Sequence, residues 1–554
     1  MIQPSAGMSG ARRAIGSVMP ARTLCLLVVA ACAIAARPVS AQTALAGDTI
    51  EIHRAAGPIT IDGDLSDPGW HDAVRIDRWY ETQPGDNTPP PVRNIGYLAY
   101  DDHAFYAAFE FEDPNPSTMR APYADRDNIG NGTNDYGGVL LDPRNTGSTG
   151  AFFVVTPRNV QYDSITDDAS GENASPDFFW DSATKIGPHG WTLEIRIPFS
   201  SLRYRHIDPQ TWRILLYRNY PRDHHYQFFS AKLPRDGNCL VCRANVLTGL
   251  ERLPSGGHLV VAPYGSASDA AVRGDGPGDP IAAKPVDWRA GVDVKYLPNA
   301  DNAIDATVKP DFSQVEADTA QIATNQRFAL FYAEKRPFFL EGADLLATPI
   351  QAVYTRTIAA PDAGVRATGK AAGLRYTVLV ADDSGGGSAV LPGATHSSLA
   401  PVDFGSTVTI ARVKRDIGLS FVGALVTDRE ARGSNGHNRV AGPDFQWRPT
   451  GSDSFSGQWL ASTSRTPNRP DLAAEWTGET LNGHATTVQW SHDTKHLDWY
   501  AAYHDASDGF RADVGFVPQV GFRDVTLQPG WTVHPTGAVS RVRTFIVLDR
   551  TTDT

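Results

Sequence analysis

The sequence predicts an all-β protein, in which an N-terminal, jelly-roll-like β-sandwich precedes an antiparallel outer-membrane β-barrel. Short strand-like runs separated by polar turn clusters fill residues 42–253, which is typical of a sandwich. Over residues 258–554, longer runs alternate apolar and charged side chains, and almost no amphipathic helix is available to cover a sheet. Because 554 residues exceed what one hydrophobic core usually organises, at least two domains are expected.

The composition favours strands and excludes one class of partner. The sequence has 12 Trp, 18 Tyr and 23 Phe but only 4 Met, and aromatic residues are enriched in strands. Its 50 basic and 62 acidic residues give a net charge of −12. Nucleic acid is therefore not expected as a partner, because neutralising phosphates needs a basic surface.

Residues 1–41 are predicted to form a signal peptide. Three arginines precede an apolar run over residues 24–36, and Ala41 ends a stretch of small residues typical of a cleavage site. The run is shorter than the roughly 20 residues that a membrane-spanning helix needs. The protein is therefore expected to be exported.

Two cysteines, Cys239 and Cys242, remain after removal of the signal peptide. In an oxidising compartment they are predicted to form a small local disulfide with a structural role. A redox site would need a helix N-terminus after a strand, and a structural zinc site would need two more ligands nearby. The sequence shows neither pattern.

Residues 258–554 carry the pattern of barrel strands. Residues 288–296 and 497–503 alternate apolar with polar side chains, as membrane strands of about ten residues do. A second soluble β-domain would also alternate, and that alternative stays open. The barrel is favoured because closure removes the sheet edges and outer-membrane lipid then covers the apolar face. The polar residues 549–554 are not the aromatic strand end typical of such barrels, so the sequence also allows a truncated barrel.

Three stretches resemble family 9 carbohydrate-binding modules. They are the Ile-Asp-Gly stretch at residues 59–65 with Trp70, the central strand at residues 135–143, and the Glu-containing strand at residues 191–198. The similarity covers roughly residues 50–250 and implies a β-sandwich, glycan binding and structural calcium.

Two longer motifs, residues 309–318 and 334–342, with the Asp-Phe-Phe-Trp-Asp at residues 177–181, resemble an uncharacterised bacterial family. Its members carry a family 9-type module followed by an outer-membrane barrel, and some are labelled membrane-associated hydrolases. The resemblance spans most of the mature chain and implies an association with the outer membrane.

Sugar-binding modules stack an aromatic ring on the apolar face of a pyranose. The family's two clamp tryptophans would fall near residues 128–134 and 242–245, and neither stretch contains Trp. Tyr136 is predicted to be the exposed ring, although large aromatic residues are more often core. The other candidates are Trp79, Tyr80, Tyr123 and Trp180.

Asp163, Asp167, Asp168 and Glu172 form an acidic stretch that could bind calcium through hard oxygen ligands. Their spacing does not match an EF-hand loop. A solvated acidic loop is therefore the favoured interpretation.

Glu316, Glu334, Glu341 and Asp344 are dense enough to include the pair of carboxylates needed for hydrolysis of a glycosidic bond. They lie among basic residues within residues 310–345. A charged, plug-like segment in the barrel lumen is favoured over an active site.

Three hypotheses follow, in decreasing order of preference. The first is a glycan-binding protein of the outer membrane, linked to polysaccharide breakdown. The second is a membrane-associated hydrolase of glycosidic bonds. The third is a channel or transport component with a periplasmic sandwich.

Overall fold

The computed structural model describes residues 47–130, 132–168, 171–174, 178–205, 207–235, 237, 239–254, 258–273, 278, 280–299, 301–310, 326–332, 334–340, 342–535, 539 and 541–554. The predicted signal peptide, Glu316 and Glu341 lie outside the described residues. The all-β prediction is confirmed, since strands dominate both halves of the chain. Within the described ranges, no helix is long and apolar enough to cross a membrane.

Fifteen strands form the part of the N-terminal half that the structure describes, and most are bounded by the polar turns that the sequence indicates. They are β1 (Thr49–Glu51), β2 (His53–Arg54), β3 (Val74–Ile76), β4 (Tyr80–Gln83), β5 (Asn94–Tyr100), β6 (Ala104–Glu112), β7 (Tyr136–Asp142), β8 (Thr149–Val155), β9 (Gln161–Asp167), β10 (Gly171–Asn173), β11 (Asp181–Gly187), β12 (Gly190–Pro198), β13 (Gln210–Pro221), β14 (His225–Phe229) and β15 (Asn245–Leu250). Short 3₁₀ turns occupy Pro68–Trp70, Pro116–Thr118, Phe199–Ser201 and Val241–Arg243.

These strands form two sheets. One sheet has the order β1-β15-β13-β7-β8-β9-β10, with β14 and β4 attached through β13. The other has the order β11-β12-β6-β5-β2, with β3 on β5. Side chains from both sheets, including Phe109, Leu193, Val139 and Leu216, share one buried core. The two sheets therefore form a sandwich around a common core.

Strand β12 shows how the alternation predicts this packing and where it departs from it. Trp191, Leu193 and Ile195 point into the core, as their spacing predicts. The same alternation places Glu194 on the polar, exposed face, yet it is fully buried. Hydrogen bonds explain the difference, and they are described below with the site.

The strands from residue 258 onwards form a separate, larger sheet and two small hairpins. They are β16 (His258–Ser268), β17 (Ala271–Arg273), β18 (Ile281–Ala283), β19 (Asp287–Asn299), β20 (Asn302–Val308), β21 (Pro361–Ala371), β22 (Leu374–Asp383), β23 (Gly387–Leu391), β24 (Ser398–Val402), β25 (Ser406–Ile417), β26 (Ser420–Ala431), β27 (His437–Trp447), β28 (Asp453–Arg465), β29 (Thr480–Asp493), β30 (Leu497–Ala506), β31 (Phe522–Val533), β32 (Val542–Phe545) and β33 (Leu548–Asp553).

The larger sheet has 14 antiparallel strands in the order β16-β19-β20-β21-β22-β25-β26-β27-β28-β29-β30-β31-β32, with β33 on β31. The hairpins β17–β18 and β23–β24 pair separately. Across the described residues, no pairing joins β16 to β32 or β33. The closed barrel predicted from the alternation is therefore not observed among the described residues.

The two faces of this sheet have unusual polarity. On its inner face, Arg412 and Lys414 of β25 and Asn438 of β27 are buried. On its outer face, Val365 of β21 and Trp447 of β27 are exposed. A water-facing sheet shows the opposite arrangement, with apolar side chains inside and polar ones outside.

Two short helices, α1 (Pro337–Leu340) and α2 (Ala343–Leu346), lie against the inner face. Phe339 and Leu346 pack there in one cluster with Val408 and Leu425 of the sheet. This part of the predicted plug-like segment therefore contributes apolar packing as well as charge.

The sandwich and the large sheet meet through the tip of the β9–β10 hairpin. Asp167 is 3.3 Å from the amine of Lys414, and Asp168 is 3.2 Å from the guanidinium of Arg448. All four side chains are nearly inaccessible to solvent. Gln446 also donates to the backbone carbonyl of Asp168 at 3.1 Å. Residues 43–554 accordingly form one compact unit.

Candidate functional site

Two of the aromatic residues predicted to bind ligand, Trp79 and Trp180, lie in the sandwich core. Trp79 packs edge-on against Phe109 and Phe111, and its indole N–H donates to the carbonyl of Ile76 at 3.2 Å. Trp180 is 4% exposed. These rings offer no free face to a sugar, because their faces are covered by other side chains.

Tyr136, the ring predicted to be exposed, is instead only 9% exposed. It begins β7 and packs against Tyr217 at a centroid distance of 5.8 Å. Burial raises the pKa of its hydroxyl. The glycines around it suggest an open turn, but the neighbouring strand β13 covers the ring. Tyr80, by contrast, is half-buried, with the amine of Lys232 at 5.4 Å over its ring.

Two other rings of the sandwich are exposed, Tyr123 at 81% and Phe179 at 72%. The guanidinium of Arg158 lies 4.6 Å over the Tyr123 ring and donates to its hydroxyl at 3.0 Å. One face of Tyr123 is therefore covered. Phe179 has no such cover, and it is the functional candidate that residue-by-residue reasoning missed.

The local structure explains the exposure of Phe179. On either side of it, Phe178 and Trp180 turn inwards to pack on Phe153 at 5.1 and 5.4 Å. Side chains that alternate along an extended segment leave the middle ring pointing out. The hydroxyl of Ser201 donates to the carbonyl of Phe179 at 2.6 Å, which fixes the backbone here. The signal in the sequence was the Phe-Phe-Trp run itself.

Phe179 lines a cavity of about 670 Å³, which we call the interface cavity. Its walls come from the sandwich, from β16, β19, β20, β21 and β22 of the large sheet, and from α1 and α2. Apolar wall residues include Leu141, Ile165, Val294 and Phe338. Its size falls within the range of small-molecule sites, which are about 300–1,000 Å³.

Charged groups of both signs reach the interface cavity. Arg375 is almost fully buried and donates to Asp416 at 2.7 Å. Asp293 accepts a hydrogen bond from the hydroxyl of Thr307 at 2.5 Å. Lys295 and Asp344 also line the cavity. An apolar wall with a few fixed polar groups is the usual construction of a site for a polar organic ligand.

Asp142 is the most strongly perturbed carboxyl group on the sandwich side of the cavity. Burial raises its pKa to about 6, although the backbone N–H of Gly147 at 2.8 Å and the charge of Arg213 oppose this rise. The carboxylate also accepts from the Thr146 hydroxyl at 3.2 Å. These contacts close the turn between β7 and β8, so Asp142 has a structural role in shaping the wall.

The four acidic residues predicted to bind calcium do not converge on a metal. Asp163 accepts from Arg126 at 2.5 Å, from the Phe178 backbone at 2.7 Å and from the Trp180 indole at 3.1 Å. Asp167 and Asp168 face basic residues of the large sheet, and Glu172 accepts from two hydroxyls. Among the described residues, no three metal-binding side chains are grouped to hold an ion. Each of these carboxylates therefore binds a separate partner within the protein.

Glu334 and Asp344, the members of the predicted catalytic set that the structure describes, have different surroundings. Glu334 is hydrogen-bonded to Arg336 at 2.7 Å and to Thr355 at 2.6 Å. Burial opposes its charge, but these hydrogen bonds and the charge of Arg336 lower its pKa. Asp344 lies in the first turn of α2 and lines the interface cavity. The charge of Glu334 is thus balanced by that of Arg336.

The residues behind the family 9 resemblance form a structural network. The buried carboxylate of Glu194 accepts from the backbone N–H of Gly63 at 2.7 Å, from that of Asp62 at 2.9 Å and from the indole of Trp70 at 2.8 Å. Gly63 has a φ of +86°, a conformation that favours glycine. The motif therefore anchors the chain opening to β12 and leaves the ligand site elsewhere.

Cys239 and Cys242 are joined by a disulfide bond in the structure. Cys242 is 1% exposed within the 3₁₀ turn before β15. Neither cysteine is among the residues that line the interface cavity.

Comparisons with known proteins give limited similarity. Residues 258–369 match a domain of unknown function, DUF5916. One similar solved structure is a family 9 carbohydrate-binding module from Caldicellulosiruptor kristjanssonii in complex with cellotriose, at 15% identity and a TM-score of 0.25, covering 36% of this chain and 93% of that one. Another is a candidate carbohydrate-binding protein from Bacteroides uniformis, at 9% identity and a TM-score of 0.29, covering 36% and 99%. No curated protein matches the sequence.

Proposed function

We propose that this protein binds a glycan in the interface cavity, with Phe179 as the ring that stacks on a sugar. The observation that carries the proposal is the exposed ring of Phe179 at the wall of a cavity of about 670 Å³. A pyranose has an apolar face that suits an aromatic ring and a rim of hydroxyl groups that suits fixed polar side chains. The cavity supplies both kinds of contact.

The charge of the cavity favours a neutral sugar over a charged one. Four basic lining residues are matched in number by four acidic ones, namely Arg144, Arg203, Lys295 and Arg375 against Asp142, Asp293, Asp305 and Asp344. Such mixed side chains can donate to and accept from hydroxyl groups without a net charge to compensate. A neutral oligosaccharide is therefore the proposed ligand class.

Hydrolysis of glycosidic bonds is the weaker alternative. It needs two carboxyl groups across the scissile bond, about 5–5.5 Å or roughly 6.5–9.5 Å apart. Arg336 keeps Glu334 ionised. Of the predicted catalytic residues that the structure describes, Asp344 lines the cavity and Glu334 does not. A channel role has less support, because Phe339 and Leu346 pack against part of the inner face of the large sheet.

We also propose that the protein is exported and resides in the outer membrane, with lipid as the partner of the large sheet. The supporting observation is the polarity of the sheet, whose outer face exposes residues such as Val365, Trp447 and Trp459. Contiguous exposed apolar surface is costly in water but is solvated by lipid. Fractionation of cell envelopes tests this location, and recovery outside the membrane fraction would contradict it.

A glycan array probed with the detergent-solubilised full chain tests the ligand class. Cello-oligosaccharides belong on the array beside other neutral and charged glycans. Wild type and Tyr123→Ala should bind the same neutral oligosaccharides, whereas Phe179→Ala should lose them. The Tyr123→Ala variant is a matched control, since it removes an equally exposed ring away from the cavity. Binding lost in Tyr123→Ala but kept in Phe179→Ala would refute the site.

A further inference from the structure

A row of aromatic rings crosses the outer face of the large sheet, and we call it the aromatic row. Its members are Trp447 on β27, Phe455 on β28, Trp490 on β29, Trp499 on β30 and Trp531 on β31. Consecutive ring centroids from Trp447 to Trp499 are 5.3, 5.2 and 5.0 Å apart. Trp531 pairs with Leu497, two residues from Trp499. Five adjacent strands thus carry aromatic rings at a similar height along the strand direction.

The row lies on the face that is apolar and exposed. Along β27, Asp444 and Gln446 are buried on the inner face, while Phe445 and Trp447 are exposed on the outer face. Strand pairing places Phe455 opposite Trp447 and Trp490 opposite Phe455, on the same side of the sheet. Trp531 is 55% exposed. None of these aromatic residues is a member of the buried cluster of the sandwich core.

The row combines apolar rings with polar partners at its edge. The indole of Trp490 donates to Asp453 at 3.0 Å, and the ring of His492 stacks on Trp499 at 3.8 Å. The next turn along the chain carries Lys495, which is half-exposed. Rings that are apolar on one side and reach polar groups on the other suit the boundary between hydrocarbon and water.

On the other side of the row, the outer face stays apolar. Trp459 lies four residues beyond Phe455 on β28 and is 48% exposed. Four residues of strand span about 13 Å, or about 10 Å of depth at a tilt of roughly 40°. In an apolar band about 25 Å tall, this depth would put Trp459 near the middle.

The row also lies at the end of the sheet that holds the sandwich. Arg448, next to Trp447, pairs with Asp168, and Lys495 is 3.5 Å from Asp86. At this end most connections are short, namely residues 372–373, 418–419, 448–452 and 494–496, whereas residues 534–541 form a longer one. At the opposite end residues 432–436 form a short connection, whereas residues 384–405, 466–479 and 507–521 form long ones. In outer-membrane sheets the short turns are periplasmic and the long loops extracellular.

We propose that the aromatic row lies at the lipid headgroup level of the leaflet nearer the sandwich, and that this leaflet is the periplasmic one. The inference rests on the proposed outer-membrane location. It places the interface cavity beside the inner surface of the outer membrane, so the glycan would be bound on the periplasmic side.

Spin labels on the full chain in phosphatidylcholine vesicles test the depth. The depth of each label is measured from its relative accessibility to oxygen and to a water-soluble nickel complex. Labels on Trp531→Cys and Trp447→Cys should be shallow, and the label on Trp459→Cys should be deep. Tyr123→Cys on the sandwich is the aqueous control. A label at Trp459→Cys as water-exposed as this control would refute the membrane location itself. If the labels on Trp459→Cys and Trp531→Cys were equally deep, the membrane location would stand, but the placement of the aromatic row at the headgroup level would be wrong.

Labelling of intact cells with a membrane-impermeant biotin maleimide tests the side. Asn435→Cys, in the connection between β26 and β27 at the far end, should label in intact cells. Tyr123→Cys should label only after the outer membrane is permeabilised, and the parent chain should not label. Labelling of Tyr123→Cys in intact cells, or of Asn435→Cys only after permeabilisation, would overturn the assignment.

Discussion

Replacement of Glu194 should reveal how strongly the opening motif is anchored. In Glu194→Ala, three buried donors lose their acceptor: the N–H groups of Asp62 and Gly63 and the indole of Trp70. Each unsatisfied buried donor costs about 1–3 kcal/mol. Some of this cost is recovered when the loop shifts or water enters, so the free energy of unfolding should fall by about 3–5 kcal/mol.

Glu194→Gln separates the hydrogen bonds from the charge. The amide oxygen can still accept from two donors, while its NH₂ group faces the third. Burial raises the pKa of Glu194, so the buried charge is itself costly, and its removal offsets part of the loss. The expected cost is about 1–2 kcal/mol, well below that of the alanine variant.

Urea unfolding of the full chain in detergent, followed by tryptophan fluorescence, measures both changes. Glu110→Ala is the matched control, because this exposed carboxylate accepts a single hydrogen bond from Tyr97 at 2.7 Å. Its loss should cost less than about 1 kcal/mol. Glu194 does not anchor the motif through these hydrogen bonds if Glu194→Ala unfolds like this control, or if the glutamine variant is as unstable as the alanine variant.

Three further predictions follow from the fold. Residues 42–253 should fold and stay soluble alone, whereas residues 258–554 should need detergent. If residues 258–554 were monomeric and soluble without detergent, the proposal that lipid covers the apolar outer face would be wrong. Thiol labelling of unreduced, denatured mature protein should find no free thiol at Cys239 or Cys242, and two labelled thiols would exclude the disulfide. Burial raises the pKa of Asp168 to about 7, although the charge of Arg448 opposes the rise. Because the docked state therefore binds a proton more tightly than the undocked state does, docking of the β9–β10 hairpin should strengthen as pH falls from 7 to about 4. Limited proteolysis between residues 250 and 258 measures this change, and Asp168→Asn should abolish the pH dependence; an equal dependence in the variant would refute the assignment.

Much of the fold could be predicted from local pattern. The alternation at residues 191–197 and 288–296 gives strands β12 and β19, because side chains on a strand alternate between two faces. The apolar outer face of the large sheet follows from the same alternation. Closure of that sheet does not follow, since it depends on pairing between strands far apart in sequence.

The site could be predicted far less well. Tyr136 and Phe179 both stand in polar, turn-rich surroundings, yet only Phe179 is exposed, because β13 covers Tyr136. The acidic stretch gave no sign that Lys414 and Arg448, more than two hundred residues later, would pair with Asp167 and Asp168. Exposure and ion pairing are decided by tertiary packing, which a single sequence does not display.

Calorimetry of the full chain with the strongest array glycan tests glycan binding at the interface cavity most directly. Because one stacking ring contributes about 1–3 kcal/mol, by analogy with base–aromatic stacking, Phe179→Ala should weaken binding roughly ten- to a hundredfold. Tyr123→Ala should change the Kd less than twofold, and oligosaccharides should bind more tightly than the corresponding monosaccharide. Unchanged affinity in Phe179→Ala would contradict the proposed site, and no heat with any glycan would contradict glycan binding itself.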